Sequence, residues 1–229
     1  MNWLWSNLDL VWELTLTHLA LSLPPIVLSF VLAVPLGWVA YRYRLSRGVL
    51  LTIVGLLYAI PSLPLLIILP AILGTGARSP INVIVALTLY GVALLVRTAA
   101  DAFTSVGADV RQSATALGYS GWGRFWHVEL PLAGPVLLAG LRVVIVSTVS
   151  LVTVGAVLGV RSLGSLFTDG FQRNIQVEII TGIVMTVALA LILDFLSVLI
   201  GRLVLPWTRV DARARRLARR AQSEAVDAA

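Results

Sequence analysis

Five long apolar runs leave this chain little choice of solvent. They cover residues 17–40, 50–73, 81–96, 132–158 and 177–204. An α-helix rises 1.5 Å per residue and a hydrocarbon core is about 30 Å thick, so each run can cross a bilayer, the third only just. Hydrophobic residues make up 59% of the chain and charged residues 12%. A soluble domain carries about 25% charged residues, too many for this chain to match over a globular surface. No run alternates with a period of two, which excludes a membrane β-barrel. The expected fold is all-α and polytopic, with five transmembrane helices, or six if the fourth run hides a break. Prolines 24, 25 and 35 in the first run and 61, 64 and 70 in the second predict kinks where backbone groups lose their helical partners.

The charged residues then orient the chain. All 17 basic residues are arginine. Segments 41–49 and 97–131 and the tail after 201 hold Arg42, Arg44, Arg47, Arg97, Arg111, Arg124, Arg202, Arg209, Arg213, Arg215, Arg216, Arg219 and Arg220. The opposite side holds Arg78, Arg161 and Arg173. Positively charged loops face the cytoplasm, so the N-terminus is expected outside and the C-terminus inside. Trp3, Trp5 and Trp12 then mark the outer interface and Trp207 the inner one. Residues 1–16 read as an outer amphipathic lead-in, with Leu4, Leu8, Val11 and Leu14 at helical spacing. Residues 17–208 form the membrane domain. The tail 209–229 reads as a basic cytoplasmic anchor against acidic lipid head groups. A cleaved signal begins with a basic region, whereas no arginine precedes Arg42, so the first run is read as a retained span.

The same composition narrows the function classes. Arginines clustered at the ends of apolar runs read as topology rather than as a nucleic-acid surface. The chain has no cysteine, and His18 and His127 stand far apart, so neither a cofactor nor a metal centre is expected. No cluster of nucleophile, base and oxyanion donors suggests an enzyme. A secondary transporter or channel would need ionisable groups along an ion path, and only Arg142 and Asp194 lie well inside the runs. They fall at similar depth on sequential spans, which predicts a salt bridge between spans four and five.

The longest inner loop carries the most information. Residues 101–131 read DAFTSVGADVRQSATALGYSGWGRFWHVELP, and loops of that length in compact domains are commonly functional. The spacing predicts two short helices. Asp109 is expected to cap the first, Gly118 to end it in a left-handed conformation, and WGRFWHVEL to return as a second amphipathic piece, with Pro131 opening the next span. A small-residue helix pair of this kind suits docking into a groove on a partner.

The loop resembles the motif of ABC importer permeases: Glu-Ala-Ala, three residues, Gly, nine residues, Ile, one residue, Leu-Pro. Gln112, Ser113 and Ala114 occupy the first triplet, followed at matching spacing by Gly118, Val128, Leu130 and Pro131. The departures are Gln for Glu, Ser for the first Ala, and Val for Ile. LTHLALSL, AIPSLPLL, LYGVALLVRTAADAF, ELPLAGPVLLAGLR and RSLGSLFTDGFQRN are similar to the subfamily that imports glycine betaine, carnitine and choline. That resemblance implies a type I ABC importer permease core in the cell membrane. It implies as partners two cytoplasmic ATPases docked on the 101–131 loop, a second permease subunit that is a copy or a paralogue, and an extracytoplasmic solute-binding protein. The chain ends about 20 residues beyond its last span, so the binding protein is expected as a separate chain. Tyr58, Ser62, Tyr90, Thr148 and Thr153 are the candidates for lining a solute path. A permease for another small solute remains the alternative, and a secondary transporter or channel the remoter one.

Overall fold

In the computed structural model, residues 2–207 are described, and the basic tail 209–229 lies outside them. The order of elements is α1 (Asn2–Ser6), α2 (Leu8–Arg42), α3 (Arg44–Ala59), α4 (Ser62–Leu73), α5 (Pro80–Thr104), α6 (Ala108–Ala116), α7 (Gly121–Arg124), a π-helical turn (Phe125–Glu129), α8 (Leu130–Val152), a 3-10 turn (Thr153–Leu158), α9 (Ser165–Gln172) and α10 (Gln176–Val204). Among the described residues, four helical stretches are long and apolar enough to cross a membrane, and the sharply bent pair α3–α4 reaches that length only when taken together, as a broken span or a re-entrant loop.

α2 is longer than its apolar run. Its 35 residues span about 52 Å, well beyond a hydrocarbon core of about 30 Å. The lead-in is therefore not a separate piece from Leu8 onward: Leu8, Val11 and Leu14 belong to the first turns of the spanning helix. The three prolines do not divide it. The fifth run likewise forms one helix, α10. The fourth does not hide another span, because its end tightens into the 3-10 turn Thr153–Leu158 and stops at Gly159.

The second run is where prolines break the chain. α3 and α4 meet at 100°. In a continuous helix the carbonyls of Leu57 and Ile60 would accept from residues 61 and 64, but both are proline and carry no N–H. The Ile60 N–H turns back to the Leu57 carbonyl at 3.4 Å. The Tyr90 hydroxyl, from α5, donates to the Ile60 carbonyl and replaces the donor that Pro64 lacks.

α5 is the central helix, with 67% of its apolar window buried, and it packs most extensively on α2; the window of α10 is 17% buried. Small residues bring α2 and α5 together, as is common between membrane helices. A Cβ on Gly37 would stand 2.4 Å from the Cβ of Ala99, and one on Gly91 would stand 2.0 Å from the Ser29 hydroxyl. Gly37→Val is accordingly expected to cost about 1–3 kcal/mol by overpacking. It should lower the thermal unfolding midpoint of the purified protein in detergent, and an unchanged midpoint would mean that α2 and α5 do not approach this closely.

Candidate functional site

The inner loop begins where α5 ends. α6 starts behind Gly107, whose side of the peptide offers no capping group, and Asp109 sits in the first turn. Asp109 is therefore not the cap expected from the sequence; its charge still faces the positive end of the helix. The far end closes as predicted. Gly118 adopts φ +86°. Its N–H donates to the Thr115 carbonyl at 3.0 Å, and the Tyr119 N–H donates to the Ala114 carbonyl at 3.1 Å. This is the paired bonding of a Schellman motif, which requires a left-handed residue at this position. The second piece is not a free-standing helix. Gly121–Arg124 runs through the π-helical turn into α8, with the Ser120 hydroxyl accepting from the Gly123 N–H at 3.1 Å.

The motif residues divide into two groups. Gln112, Ser113 and Gly118 are exposed on α6 and its end, beside Leu117, whose side chain is 79% exposed, and Trp122. Ala114 faces inward. Val128, Leu130 and Pro131 are partly buried on the returning helix. Leu130 and Pro131 wall an apolar cavity of about 640 Å³ between α2, α8 and α10. The first group is the outward surface, and the second anchors the loop to the membrane bundle.

A buried carboxylate joins them, and sequence reasoning passed it over. Glu129 is 1% exposed. Its Oε1 accepts from Arg124 Nε at 2.8 Å and its Oε2 from Trp38 Nε1, on α2, at 2.8 Å. Arg124 Nη1 reaches on to the Thr115 hydroxyl of α6 at 2.9 Å. Aromatic packing surrounds this clasp: Trp38 meets Phe125 edge-on at 5.2 Å between centroids, and Phe125 lies 5.8 Å from Phe103. A second tie is Arg111, whose guanidinium stands 5.1 Å from the Tyr41 ring centroid. α6 is thus fixed to α2 from both sides. The signal in the sequence was a lone acid at the edge of an apolar run, which does not reveal its partners. Removing one member of a buried pair costs about 3–5 kcal/mol. Glu129→Ala should therefore make the 105–128 loop markedly more sensitive to protease in purified protein, while Glu129→Gln, which keeps an acceptor for Trp38, should lose less. Equal digestion of all three proteins would contradict the clasp.

In the membrane region the structure brings Arg142 and Asp194 together. Arg142 Nε donates to Asp194 Oδ1 and Nη2 to Oδ2, both at 2.7 Å. The five path candidates do not share one surface. Tyr90 and Thr148 are buried within the chain, Tyr90 as the support of the α3–α4 break. Tyr58 is exposed, and Ser62 and Thr153 are half-buried. The segment between α8 and α10 is held by contacts that the sequence did not reveal. His18 Nδ1 accepts from the Leu163 N–H at 3.3 Å, which fixes the tautomer in which Nε2 donates to the Val149 carbonyl at 2.9 Å. Glu178, fully buried, accepts from Arg173 Nη2 at 2.7 and 2.8 Å. Among the described residues, no group of three or more histidine or acidic side chains is placed to hold a metal ion.

Comparison with known proteins agrees with this architecture. Residues 26–210 match the family described as binding-protein-dependent transport system inner membrane component. The glycine betaine/carnitine/choline transport system permease protein OpuCB of Bacillus subtilis is 31% identical over 189 residues, covering 82% of this chain and 86% of that protein. The osmoprotectant import permease protein OsmW of Salmonella typhimurium is 29% identical, covering 86% and 92%. Among solved structures, a chain of the MetNI methionine ABC transporter in an inward-facing conformation superposes with a TM-score of 0.76 at 22% identity, covering 86% of this chain and 97% of that one. At that identity the likeness speaks for the fold.

Proposed function

Because the chain belongs to the family of inner membrane components of binding-protein-dependent transport systems, we propose that it is the permease of an ATP-driven importer for compatible solutes of the glycine betaine, carnitine and choline class. The observation that carries this reading is the inner loop: a short helix ended by Gly118, exposing Gln112, Ser113 and Leu117, and tied to α2 through Arg124 and Glu129. Such a loop has the form of a docking element for a separate ATPase, with hydrolysis taking place on that partner. The solute class is supported by the names of the relatives, OpuCB and OsmW. A second permease subunit and an extracytoplasmic binding protein complete the assembly. The alternative of another small solute draws on the ergothioneine transport permease/ergothioneine binding protein EgtU of Helicobacter pylori, 31% identical over 177 residues, which make up 77% of this chain and 30% of that protein.

This reading requires the 101–131 loop in the cytoplasm, with the N-terminus outside. The arginine distribution supports that orientation. The chain has no cysteine, so single cysteines report cleanly. In intact cells, Ser6→Cys should react with an impermeant thiol reagent and Ala221→Cys should not. The reverse pattern would put the docking loop on the wrong side. Uptake of labelled glycine betaine by cells relying on this system tests the solute class. Competition by carnitine or choline supports it, and competition by an unrelated solute alone favours the alternative.

A further inference from the structure

The exposure of the Arg142–Asp194 pair is unexpected for a purely structural bridge. Arg142 lies 12 residues into α8, about 18 Å along its axis, and Asp194 lies 10 residues before the end of α10, about 15 Å. Both are therefore at hydrocarbon depth. Yet the Arg142 side chain is 46% exposed and that of Asp194 20%. Charges inside a membrane face a bundle interior or a water-filled cavity, because hydrocarbon solvates them poorly.

The same face is mixed: Val146 stands exposed between Arg142 and Ser150, and Thr153 follows at the start of the 3-10 turn. Arg142, Val146, Ser150 and Thr153 follow one another at helical steps of four, four and three. Ser150 is exposed and Thr153 half-buried. The opposite face, Leu137, Gly140, Val144 and Thr148, is buried in the bundle. Arg142 spends Nε and Nη2 on Asp194, which leaves Nη1 with no hydrogen-bond partner among the described residues. A guanidinium edge of this kind suits a carboxylate.

We propose that this α8 face lines the solute path and that Arg142, held by Asp194, receives the carboxylate of a zwitterionic quaternary amine as it passes. The inference rests on the importer reading and names the part of the solute that this chain contacts. The solute carboxylate accepts from Nη1, and its trimethylammonium group lies toward the Asp194 side of the pair. Glycine betaine and carnitine carry such a carboxylate; choline does not.

Two experiments on the purified, reconstituted complex test the proposal. The first is the charge swap Arg142→Asp with Asp194→Arg. A pair that only stabilises the bundle works in either polarity, so a purely structural role predicts wild-type uptake from the swap. Contact with the carboxylate predicts that the swap assembles but transports glycine betaine with a KM raised about tenfold or more. Should the swap fail to assemble, the second experiment decides. Ser150→Cys, on the same face and outside the pair, should be modified by a water-soluble charged methanethiosulfonate reagent, and glycine betaine with the binding protein should slow the reaction. Absence of modification in a complex that transports normally would show the face to be lipid-covered or sealed, and would overturn the path proposal while leaving the importer reading intact. Loss of ATP-driven uptake by the wild-type complex would instead strike the importer reading itself.

Discussion

Gly118→Val is expected to leave the chain inserted in the membrane while cutting ATP-driven uptake about tenfold or more. The expectation follows from backbone conformation alone. Gly118 sits at φ +86°, and a Cβ placed there would meet nothing within 4 Å. No steric clash is involved, so the penalty is that of the left-handed region, about 1–2 kcal/mol for a residue bearing a Cβ and more for a β-branched one. A valine would release the Schellman bonds from Gly118 to Thr115 and from Tyr119 to Ala114. α6 would then run on or fray, and Gln112, Ser113 and Leu117 would no longer be presented together. Asparagine tolerates left-handed geometry, so Gly118→Asn should retain most of the uptake. Solute-stimulated ATP hydrolysis should fall in parallel with uptake in the valine variant. If valine and asparagine behave alike, the geometry of this turn does not set the position of the docking surface.

The second large effect concerns the membrane pair. Asp194→Ala leaves Arg142 without its two 2.7 Å bonds at hydrocarbon depth. A charge left without its partner at that depth is disfavoured. Each single alanine variant should therefore reduce the yield and thermal stability of the complex. Arg142→Ala with Asp194→Ala should lose less than the sum, because the double variant strands no charge. Additive losses would mean that the two side chains act independently in the assembled transporter. This cycle reads the pairing, whereas the charge swap reads what the pair does to the solute.

How much of this was legible beforehand varied with the kind of information each residue carries. Solvent and helix positions were written in apolar runs, which local composition determines. The end of α6 was legible because a left-handed turn selects glycine, and Gly118 stood at the right distance from the helix. The break at Pro61 and Pro64 was legible as a kink, but its 100° angle depends on where α4 finds packing against α5. Asp109 has the side chain of a cap, but α6 begins at Ala108, two residues earlier than a helix capped by Asp109 would, and Gly107 takes the cap position. Tyr90 and Thr148 looked like path residues because they are polar groups in apolar runs. Both are buried, and only tertiary structure shows that the Tyr90 hydroxyl answers an orphaned carbonyl 30 residues away. Glu129 and His18 were missed for the same reason. Their partners, Trp38 at a separation of 91 residues and Leu163 at 145, follow no local period.

The central claim is that this permease moves solute because a docked ATPase drives it. The most direct measurement is uptake of labelled glycine betaine into proteoliposomes containing the complex purified through a tag on this chain. The binding protein is supplied outside, ATP is enclosed within, and no ion gradient or membrane potential is imposed. The account predicts accumulation that requires enclosed ATP, stops with a non-hydrolysable analogue, and drops in the Gly118→Val complex. Accumulation that ignores ATP and follows an imposed sodium or proton gradient would contradict it.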